Sequence, residues 1–361
     1  MTGHTPEELA FLQSLPLEDK VKMTRARIEE WMEAWQGGCY VSLSGGKDSA
    51  VLLHLVRALY PGVPAVFADT GLEHPEVRRY ALSQENVTAV RPKKPFWEVV
   101  RDRGYPVISK YVAGSIACAR RYDPLGRNRR FMHGEPFIRR DGTPMRSRFD
   151  LSIWQRLAEE APFRISDVCC DKMKKEPLRA YERATGRKPF IATLAGESQM
   201  RRQAWLRGGC NAFSGHIRST PMAFWREQDV LAYIERTHLP IAPVYGQVER
   251  DRHGLYLTGA SRTGCLFCGF GAHLEKGEGR FVQLNREWPK LGRYCLEGGE
   301  WMDNPDYDPA LPERAQDGFR TFNPKKLWVP SREGLGLRFV LETVNRLCGR
   351  QIRLPVEAGN E

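Results

Sequence analysis

A short run of the chain carries the residue types needed to bind a polyphosphate, namely Ser44, Gly45, Gly46, Lys47, Asp48 and Ser49. Two adjacent glycines let backbone N–H groups approach an anion without a clash from a Cβ atom. The lysine adds positive charge, and the two serine hydroxyls can donate hydrogen bonds to phosphate oxygens. The run is not a Walker A loop, which places four residues between its first glycine and its Gly-Lys pair. It predicts a different phosphate-binding loop, in which Lys47, Asp48 and Ser49 are the catalytic candidates.

Four of the nine cysteines have a spacing that suits a metal centre. Cys169 and Cys170 are adjacent, and Cys265 and Cys268 form a C-x-x-C turn some 95 residues later. Such a turn directs two thiolates at one centre, as in zinc sites and iron–sulfur clusters. Adjacent cysteines fit a cubane better than a tetrahedral zinc ion, because their diverging side chains can each reach a different iron. We predict a [4Fe–4S] cluster on these four residues, with zinc as the alternative.

The secondary structure around the glycine loop indicates how it is held. An apolar run at Cys39–Leu43 precedes it and a helical pattern at Ala50–Val56 follows it, so the loop joins a strand to a helix N-terminus. Free N–H groups and the positive end of the helix dipole would then face the phosphates. Further strands at Pro64–Asp69 and Val87–Val90 alternate with helices. This order predicts a doubly wound α/β fold with a mainly parallel sheet.

Ligands of parallel sheets bind beyond the carboxyl ends of the strands, and polar residues cluster at three such ends. Asp69 can accept a hydrogen bond from a ribose hydroxyl or help to hold Mg²⁺, although an acid here can also cap the next helix. Arg201 and Arg202 follow another strand, and guanidinium groups suit phosphate, although both can also be surface residues. The predicted nucleotide contacts are Ser42, Ser44, Gly45, Gly46, Lys47, Asp48, Ser49, Asp69, Thr70, Gly71, Glu73, Gly196, Arg201 and Arg202.

Three regions are expected along the chain: a helical lead-in at 1–38, a nucleotide-binding α/β domain at 39–245, and an irregular and helical C-terminal extension at 246–361 that packs on the cluster site. The α/β domain contains a basic insertion at about 110–150. Aromatic residues interleave with its arginines, a combination that single-stranded nucleic acid can bind, and a flexible surface insertion is the alternative. The residues concerned are Arg120, Arg121, Tyr122, Arg127, Arg129, Arg130, Phe131, Phe137, Arg139, Arg140, Arg146 and Arg148.

The composition is that of a globular protein with polyanionic partners. The 361 residues are 41% hydrophobic and 27% charged, with a net charge of +11. This charge favours nucleotides, RNA or DNA as partners. No apolar stretch reaches the roughly 18 residues of a membrane span. The N-terminus lacks the pattern of a signal peptide, so a cytoplasmic location is expected, where cysteines serve metal binding or chemistry rather than disulfides.

The hexapeptide Ser44–Ser49 matches the SGGKDS signature of the PP-loop, or N-type, ATP pyrophosphatases. Within that superfamily the chain resembles the phosphoadenosine-phosphosulfate (PAPS) reductase family, and Asp69–Glu73 is similar to its D-T-G-x-E segment. Adenylylsulfate (APS) reductases carry a tandem Cys-Cys followed by a lysine and a Pro-Leu pair, then a distant C-x-x-C. Lys174, Pro177 and Leu178 occupy the accompanying positions here. The resemblance implies that all four thiolates hold a [4Fe–4S] cluster.

Two features separate this chain from the reductases that it resembles. Those enzymes attack the sulfur of their substrate with the cysteine of a Glu-Cys-Gly-Leu-His motif, which these 361 residues lack. They also commonly lack the Lys-Asp pair of the loop, which is kept here as Lys47 and Asp48. We therefore predict cleavage of ATP at the α-phosphate to AMP and pyrophosphate, with Mg²⁺ and with an acceptor such as a nucleic acid.

Two other functions are open at this stage. One is reduction of PAPS or APS with release of sulfite, for which Cys295 or Cys348 would have to be the nucleophile. The other is a non-catalytic nucleotide-binding accessory of a phage or CRISPR nucleoprotein complex. The oligomeric state has no signature in the sequence.

Overall fold

The computed structural model describes residues 3–121, 132, 134–138, 141–145, 150–314 and 318–356. The chain forms two compact units, each built from two separate stretches. The first unit combines Met1–Lys93 with Met173–Cys265, and the second combines Lys94–Lys172 with Leu266–Glu361. The expected boundaries at residues 38 and 245 do not coincide with those of the units, because the chain leaves the first unit after its third strand and returns to it later.

Helices and strands alternate through the first stretch of the chain. The α-helices of the described residues are α1 (Pro6–Ser14), α2 (Leu17–Ala34), α3 (Lys47–Leu59), α4 (Pro75–Ser83), α5 (Phe96–Arg103), α6 (Lys110–Ala119), α7 (Gln155–Glu160), α8 (Glu176–Thr185), α9 (Gln199–Gly208), α10 (Glu227–Thr237), α11 (Arg280–Glu287), α12 (Pro289–Leu296) and α13 (Leu337–Cys348). The strands are β1 (Cys39–Leu43), β2 (Ala65–Ala68), β3 (Val87–Val90), β4 (Val107–Ile108), β5 (Phe137–Ile138), β6 (Pro144–Met145), β7 (Lys188–Ile191), β8 (Asn211–Ala212), β9 (Arg218–Ser219), β10 (Val248–Asp251), β11 (Gly254–Leu257), β12 (Gly269–Phe270), β13 (Glu300–Asp303) and β14 (Lys326–Val329).

A six-stranded sheet in the order β3-β2-β1-β7-β9-β8 forms the centre of the first unit. All neighbouring pairs are parallel except β8 with β9. Val41 of β1 aligns with Ala65 on one side and with Phe190 on the other, so β1 lies between the two halves of the sheet. This arrangement confirms the predicted α/β fold, and the carboxyl end of β1 is the switch point where ligands of such sheets bind.

The buried residues of the first unit explain why Cys39–Leu43 forms a central strand and why one face of α2 packs against the core. β1 is buried on both faces, as a central parallel strand must be, and Cys39, Tyr40 and Val41 are inaccessible to solvent. The helix α2 turns Ile28 and Trp31 into the core at helical spacing. One charged group also lies in this core. Lys20 of α2 is 1% exposed, and its ammonium group contacts Asp229 of α10 at 2.6 Å.

The second unit is built from short pairs of strands and from helices. β4 pairs with β12 in parallel, whereas β5 with β6 and β13 with β14 are antiparallel pairs. Its C-terminal stretch contains α11, α12 and α13, in line with the expected mixture of irregular and helical structure. No helix in the described ranges is both long enough and apolar enough to cross a bilayer.

Candidate nucleotide-binding site

The loop between β1 and α3 needs a glycine at its second position. Gly45 has a φ of +75°, a region that residues with a side chain rarely adopt. A Cβ atom at Gly45 would lie 2.6 Å from the carbonyl oxygen of Val77 in α4. The close approach of α4 therefore excludes any larger residue. Gly46 is the N-cap residue of α3, so the first free N–H groups of that helix lie at the end of the loop, as predicted.

The serine hydroxyls hold the shape of this loop. The Ser49 hydroxyl donates to the carbonyl oxygen of Gly46 at 2.8 Å and accepts from the Ser44 N–H at 3.2 Å. The Oγ atoms of Ser44 and Ser49 are 3.0 Å apart, and the Gly46 N–H contacts the Ser44 Oγ at 3.3 Å. Ser49 is 2% exposed, whereas Ser44 is exposed. Ser44 is thus the hydroxyl more accessible to a ligand.

A polar cavity of about 270 Å³ opens beside this loop within the first unit. Four cationic and three acidic side chains contribute to its wall, so the cavity suits a ligand with several charges. It is lined by Ser44, Gly46, Lys47, Asp48, Ser49, Glu73, His74, Val77, Lys174, Ala192, Glu197, Arg201, Tyr245, Arg262, Thr263 and Gly264. Ser42, which lies within β1, is not part of this wall.

Lys47 is a buried cation in the wall of this cavity. The residue is 4% exposed. Its ammonium group donates to the Ser261 carbonyl oxygen at 3.2 Å and lies 3.2 Å from Oε1 of Glu227. Oδ2 of Asp48 is 3.8 Å away, and the ring centre of Tyr245 is 6.0 Å away. In the described structure, Lys47 thus has a backbone hydrogen bond to Ser261 and an acidic neighbour, Glu227.

Asp48 provides a carboxylate that fits a divalent cation. Its Oδ1 atom is buried and has no hydrogen-bonding partner among the residues that the structure describes. Burial raises the pKa of Asp48, and the nearby Lys47 partly offsets this increase. An unsatisfied buried carboxylate oxygen is costly, and a hard cation such as Mg²⁺ would satisfy it. The residues present therefore fit the predicted Mg²⁺ site at Asp48.

The segment after β2 contributes Glu73 rather than Asp69 to the cavity. Asp69 accepts two hydrogen bonds from Arg78, at 2.7 and 2.9 Å, and these bonds hold the pKa of its carboxyl below the ordinary value. Glu73 is 8% exposed, and its carboxylate accepts from the Thr70 hydroxyl at 2.8 Å. Lys174 lies 3.5 Å from the same carboxylate. Thr70 and Gly71 thus shape the turn that presents Glu73.

Arg201 and Arg202, which are adjacent in α9, line two different cavities. Arg201 lines the cavity and forms an ion pair with Glu197, whose Oε1 also lies 3.2 Å from Arg262. Burial and the charge of Arg262 lower the pKa of Arg201. Arg202 and Gly196 instead line a second cavity of about 490 Å³, next to α1. The expectation that both arginines and Gly196 share one ligand therefore does not match their positions, because neighbouring residues on a helix diverge by about 100°.

Several cavity residues were missed by the sequence analysis because they come from distant segments. Tyr245 follows α10, and its hydroxyl lies 2.6 Å from Oγ1 of Thr263. Arg262, Thr263 and Gly264 directly precede Cys265. Their position beside the C-x-x-C turn was the available signal. Glu227, the first residue of α10, is not part of the cavity wall, and no sequence signal marked its contact with Lys47.

The four predicted cluster ligands lie in two settings: Cys169 and Cys170 begin a helical run, and Cys265 and Cys268 lie in the loop before β12. Cys169 is buried, and Cys170 is followed at once by a π-helical turn at Asp171–Lys175. Cys265 is the last residue of the first unit, and the carbonyl oxygen of Cys268 accepts a hydrogen bond from Arg280 at 2.9 Å. Among the residues that the structure describes, no group of three or more His, Cys, Asp or Glu side chains is arranged to hold a metal ion. The cluster stays a prediction.

One arginine of the basic insertion has a structural role. The Arg120 guanidinium donates to the carbonyl oxygens of Leu157, Ala158 and Ala161 at 2.8 to 3.1 Å and stacks 3.9 Å from the ring centre of Phe322. Burial lowers its pKa to about 9. Tyr122, Arg127, Arg129, Arg130, Phe131, Arg139, Arg140, Arg146 and Arg148 lie outside the described residues. Binding of nucleic acid by this insertion stays a prediction.

Sequence comparisons relate this chain to known proteins. The model of the phosphoadenosine phosphosulfate reductase domain matches residues 38–101 and 143–269, which is more than half of the chain. An uncharacterized 37.8 kDa protein from the gpa 5′ region of Escherichia phage 186 is 25% identical over 263 residues, which cover 69% of this chain and 71% of the phage protein.

Two adenosine 5′-phosphosulfate reductases are also similar. The one from Chelativorans sp. is 26% identical and the one from Mesorhizobium japonicum is 27% identical, over 58% and 54% of this chain. These matches span 64% and 56% of the two reductases, less than two thirds of each. A PAPS reductase structure from Candida auris, in complex with phosphate, aligns with a TM-score of 0.34 and 15% identity, over 69% of this chain and 97% of that one. On the match of its domain model, the chain belongs to the phosphoadenosine phosphosulfate reductase domain family.

Proposed function

We propose that this protein binds ATP in the cavity beside the glycine loop and cleaves it between the α- and β-phosphates, releasing pyrophosphate. The observation that carries the proposal is the buried ammonium group of Lys47 in the cavity wall, next to the unsatisfied carboxylate oxygen of Asp48. A phosphate-binding lysine together with a cation-binding carboxylate is what transfer at a phosphate requires. The family of the chain supports nucleotide binding, and the retained Lys-Asp pair supports cleavage.

In the proposed reaction, an oxygen nucleophile attacks the α-phosphorus atom and the bond to the bridging oxygen of the β-phosphate breaks. The electron pair leaves with pyrophosphate, the adenylyl group is transferred to water, which gives AMP, or to an acceptor oxygen, and the proton of the nucleophile is released to solvent. Lys47 would neutralise charge that develops on the leaving phosphates, and the N–H groups at the start of α3 would bind phosphate oxygens. Asp48 would hold Mg²⁺, which supplies further charge neutralisation when bound.

The environment of two cysteines argues against the alternative of sulfonucleotide reduction. A reductase needs a thiolate nucleophile, and thiolates form most readily where the thiol pKa is lowered. Cys295 is inaccessible to solvent, and burial raises the pKa of its thiol. Burial also raises the pKa of Cys348 to about 11. Both candidate nucleophiles are therefore held in the thiol form at neutral pH.

Selective alkylation measures this difference directly. When the native protein is treated with iodoacetamide at pH 8, we expect Cys118, which is exposed, to be modified well before Cys295 and Cys348, because a buried neutral thiol reacts slowly. Peptide mass spectrometry over a time course gives the three rates, and the urea-unfolded protein, in which all three should react alike, is the control. Rapid modification of Cys295 or Cys348 in the native protein would revive the reductase alternative.

Product analysis tests the proposed function itself. The anaerobically purified protein would be incubated with ATP and Mg²⁺, and in parallel with PAPS or APS and a thiol reductant. Chromatography of the nucleotides and an assay for sulfite then separate the reactions. AMP and pyrophosphate from ATP would support the proposal, whereas sulfite with intact ATP would contradict it. Candidate acceptors, RNA and single-stranded DNA first, would be tested for transfer of radiolabelled AMP.

The cysteine motif leads to a separate proposal, that Cys169, Cys170, Cys265 and Cys268 hold a [4Fe–4S] cluster. It is supported by their types and spacing in the sequence. We expect about four iron and four sulfide ions per chain after anaerobic purification, with a broad visible absorbance band that Cys170→Ser abolishes. Cys118→Ser, which changes an exposed cysteine outside the motif, is the control. Zinc without visible absorbance would establish the alternative metal, and absence of both metals would contradict the proposal.

A second candidate function is a nucleotide-binding accessory of a phage nucleoprotein complex without turnover, and its only support is that a similar, uncharacterized protein comes from Escherichia phage 186. Such a protein would share the cavity but would have no need to break a bond. Binding of ATP without release of AMP, in the product analysis above and in the presence of nucleic acid, would favour this candidate over the enzyme.

A further inference from the structure

The carboxylate of Glu227 lies beside the lysine that is expected to bind phosphate. We propose that Glu227 is an internal competitor of the ligand: it neutralises Lys47 when no polyphosphate is bound, and it has to release Lys47 when one binds. The inference rests on the proposed nucleotide site, but not on the cleavage reaction. It makes Glu227 a residue that sets nucleotide affinity through Lys47.

The contacts of Lys47 are the first support. Oε1 of Glu227 lies 3.2 Å from the Lys47 ammonium group, whereas Asp48 is farther away at 3.8 Å. The remaining short contact is with the backbone carbonyl of Ser261, which carries no net charge. Glu227 is therefore the nearest anion to Lys47 in the described structure. A bound phosphate would have to approach the same ammonium group.

Burial explains why an anion is needed there. The Lys47 side chain is 5% exposed, and a buried ammonium group without a counter-ion is strongly unfavourable. The charge of Glu227 therefore stabilises Lys47 in the absence of a ligand. The same charge would repel a polyphosphate that contacts Lys47, because like charges at a few ångströms in a poorly solvated site interact strongly.

The position of Glu227 allows it to leave. Its side chain is 48% exposed, in contrast with the nearly buried Lys47. It is the first residue of α10, so its side chain starts at the end of the helix rather than within a packed face. A rotation toward water would separate the carboxylate from Lys47 without moving the helix. Exchange of one anion for another at Lys47 thus requires a change in one side chain.

The test compares ATP binding and thermal unfolding of the full chain for Glu227→Gln and for the matched control Glu235→Gln. Glu235 is on the same helix, is similarly exposed, and pairs with Arg250 at 3.2 Å away from the cavity. We expect Glu227→Gln to bind ATP about tenfold more tightly by titration calorimetry, with and without Mg²⁺. We also expect a lower Tm in the absence of ATP, and a smaller difference or none at saturating ATP, by linkage.

Each other result contradicts the inference. Unchanged or weaker ATP binding by Glu227→Gln would show that Glu227 does not compete for Lys47. A loss of affinity confined to samples with Mg²⁺ would make Glu227 a metal ligand instead. In a Lys47→Ala background, Glu227→Gln should no longer lower the Tm, and a persistent decrease would indicate a structural role that is independent of Lys47.

A second variant and a comparison with the cleavage assay keep the inference testable if Glu227→Gln does not fold or if no AMP is released. If Glu227→Gln does not fold, Glu227→Asp retains the charge but shortens the reach to Lys47, and we expect ATP affinity about threefold higher than in the wild type. Unchanged or lower affinity in that variant would overturn the inference. If the wild type binds ATP but releases no AMP, the proposed cleavage fails while this inference stands or falls on the affinities alone.

Discussion

Replacing Lys47 with alanine is expected to lower the release of AMP and pyrophosphate from ATP by about 10²-fold or more, while the protein remains folded. The reason is that the ammonium group of Lys47 is in the cavity wall, where it would contact a phosphate oxygen of bound ATP. The charge that develops on the leaving pyrophosphate would lose this neutralising partner. The assay is chromatography of nucleotides after single-turnover incubation with ATP and Mg²⁺.

Two further variants show whether the loss of turnover is specific to Lys47 and whether it depends on more than the charge of this residue. Lys22→Ala removes a lysine from α2 whose side chain is 78% exposed, and it should leave turnover unchanged. Lys47→Arg keeps the charge but, in a buried site, cannot place a larger planar group identically, so activity should be reduced as well. Unaltered AMP release by Lys47→Ala, with circular dichroism showing a folded protein, would remove the central residue from the proposed mechanism.

Removing the partner of the buried Lys20 is expected to have the largest effect on stability. Asp229→Ala should lower the free energy of unfolding by about 3–5 kcal/mol, because it leaves an unpaired ammonium group in the core. Lys20 is 1% exposed, its ammonium group contacts Asp229 at 2.6 Å, and it donates to the Gln13 carbonyl oxygen at 2.9 Å. Asp229 also accepts from the Arg226 N–H at the start of α10, at 2.6 Å. Urea unfolding followed by circular dichroism measures the change.

The matched control is Asp19→Ala, which removes the acidic partner of Lys22 at the surface of the same α2 helix. That pair is 3.5 Å apart with both side chains exposed, so we expect a change of less than about 1 kcal/mol. The double change Lys20→Met with Asp229→Leu should recover much of the loss, since it replaces both charges by apolar groups of similar size. A small effect of Asp229→Ala would mean that water reaches Lys20.

Local sequence patterns were sufficient to predict the α/β fold and the position of the glycine loop. An apolar run, two glycines and a helical pattern follow one another within about twenty residues, and they correspond to β1, the loop and α3. Strands β2 and β3 lie where the alternation of apolar and helical segments placed them. These features depend on backbone geometry and on the burial of apolar side chains, which neighbouring residues largely determine.

The division into units could not be inferred in the same way. Residues 94–172 and 266–361 pack together although about a hundred residues separate them, so the predicted insertion and residues 266–361 of the predicted extension belong to one unit. Only contacts between distant segments decide such a grouping, and a single sequence does not record them. The same reason applies to Arg120, which has the sequence context of a nucleic-acid contact but satisfies carbonyl oxygens in its own unit.

By itself, therefore, the sequence determined the α/β class, the glycine loop with Lys47 and Asp48 between β1 and α3, and the family resemblance. The tertiary structure decided which polar side chains share a cavity with that loop. In the structure, Asp69 pairs with Arg78, and Arg202 lines a different cavity. Glu227 contacts Lys47, and Arg262 lines the cavity that contains this lysine. The physical reason is that motifs fix the backbone locally, whereas the partner of a charged side chain depends on which segments the fold brings within a few ångströms.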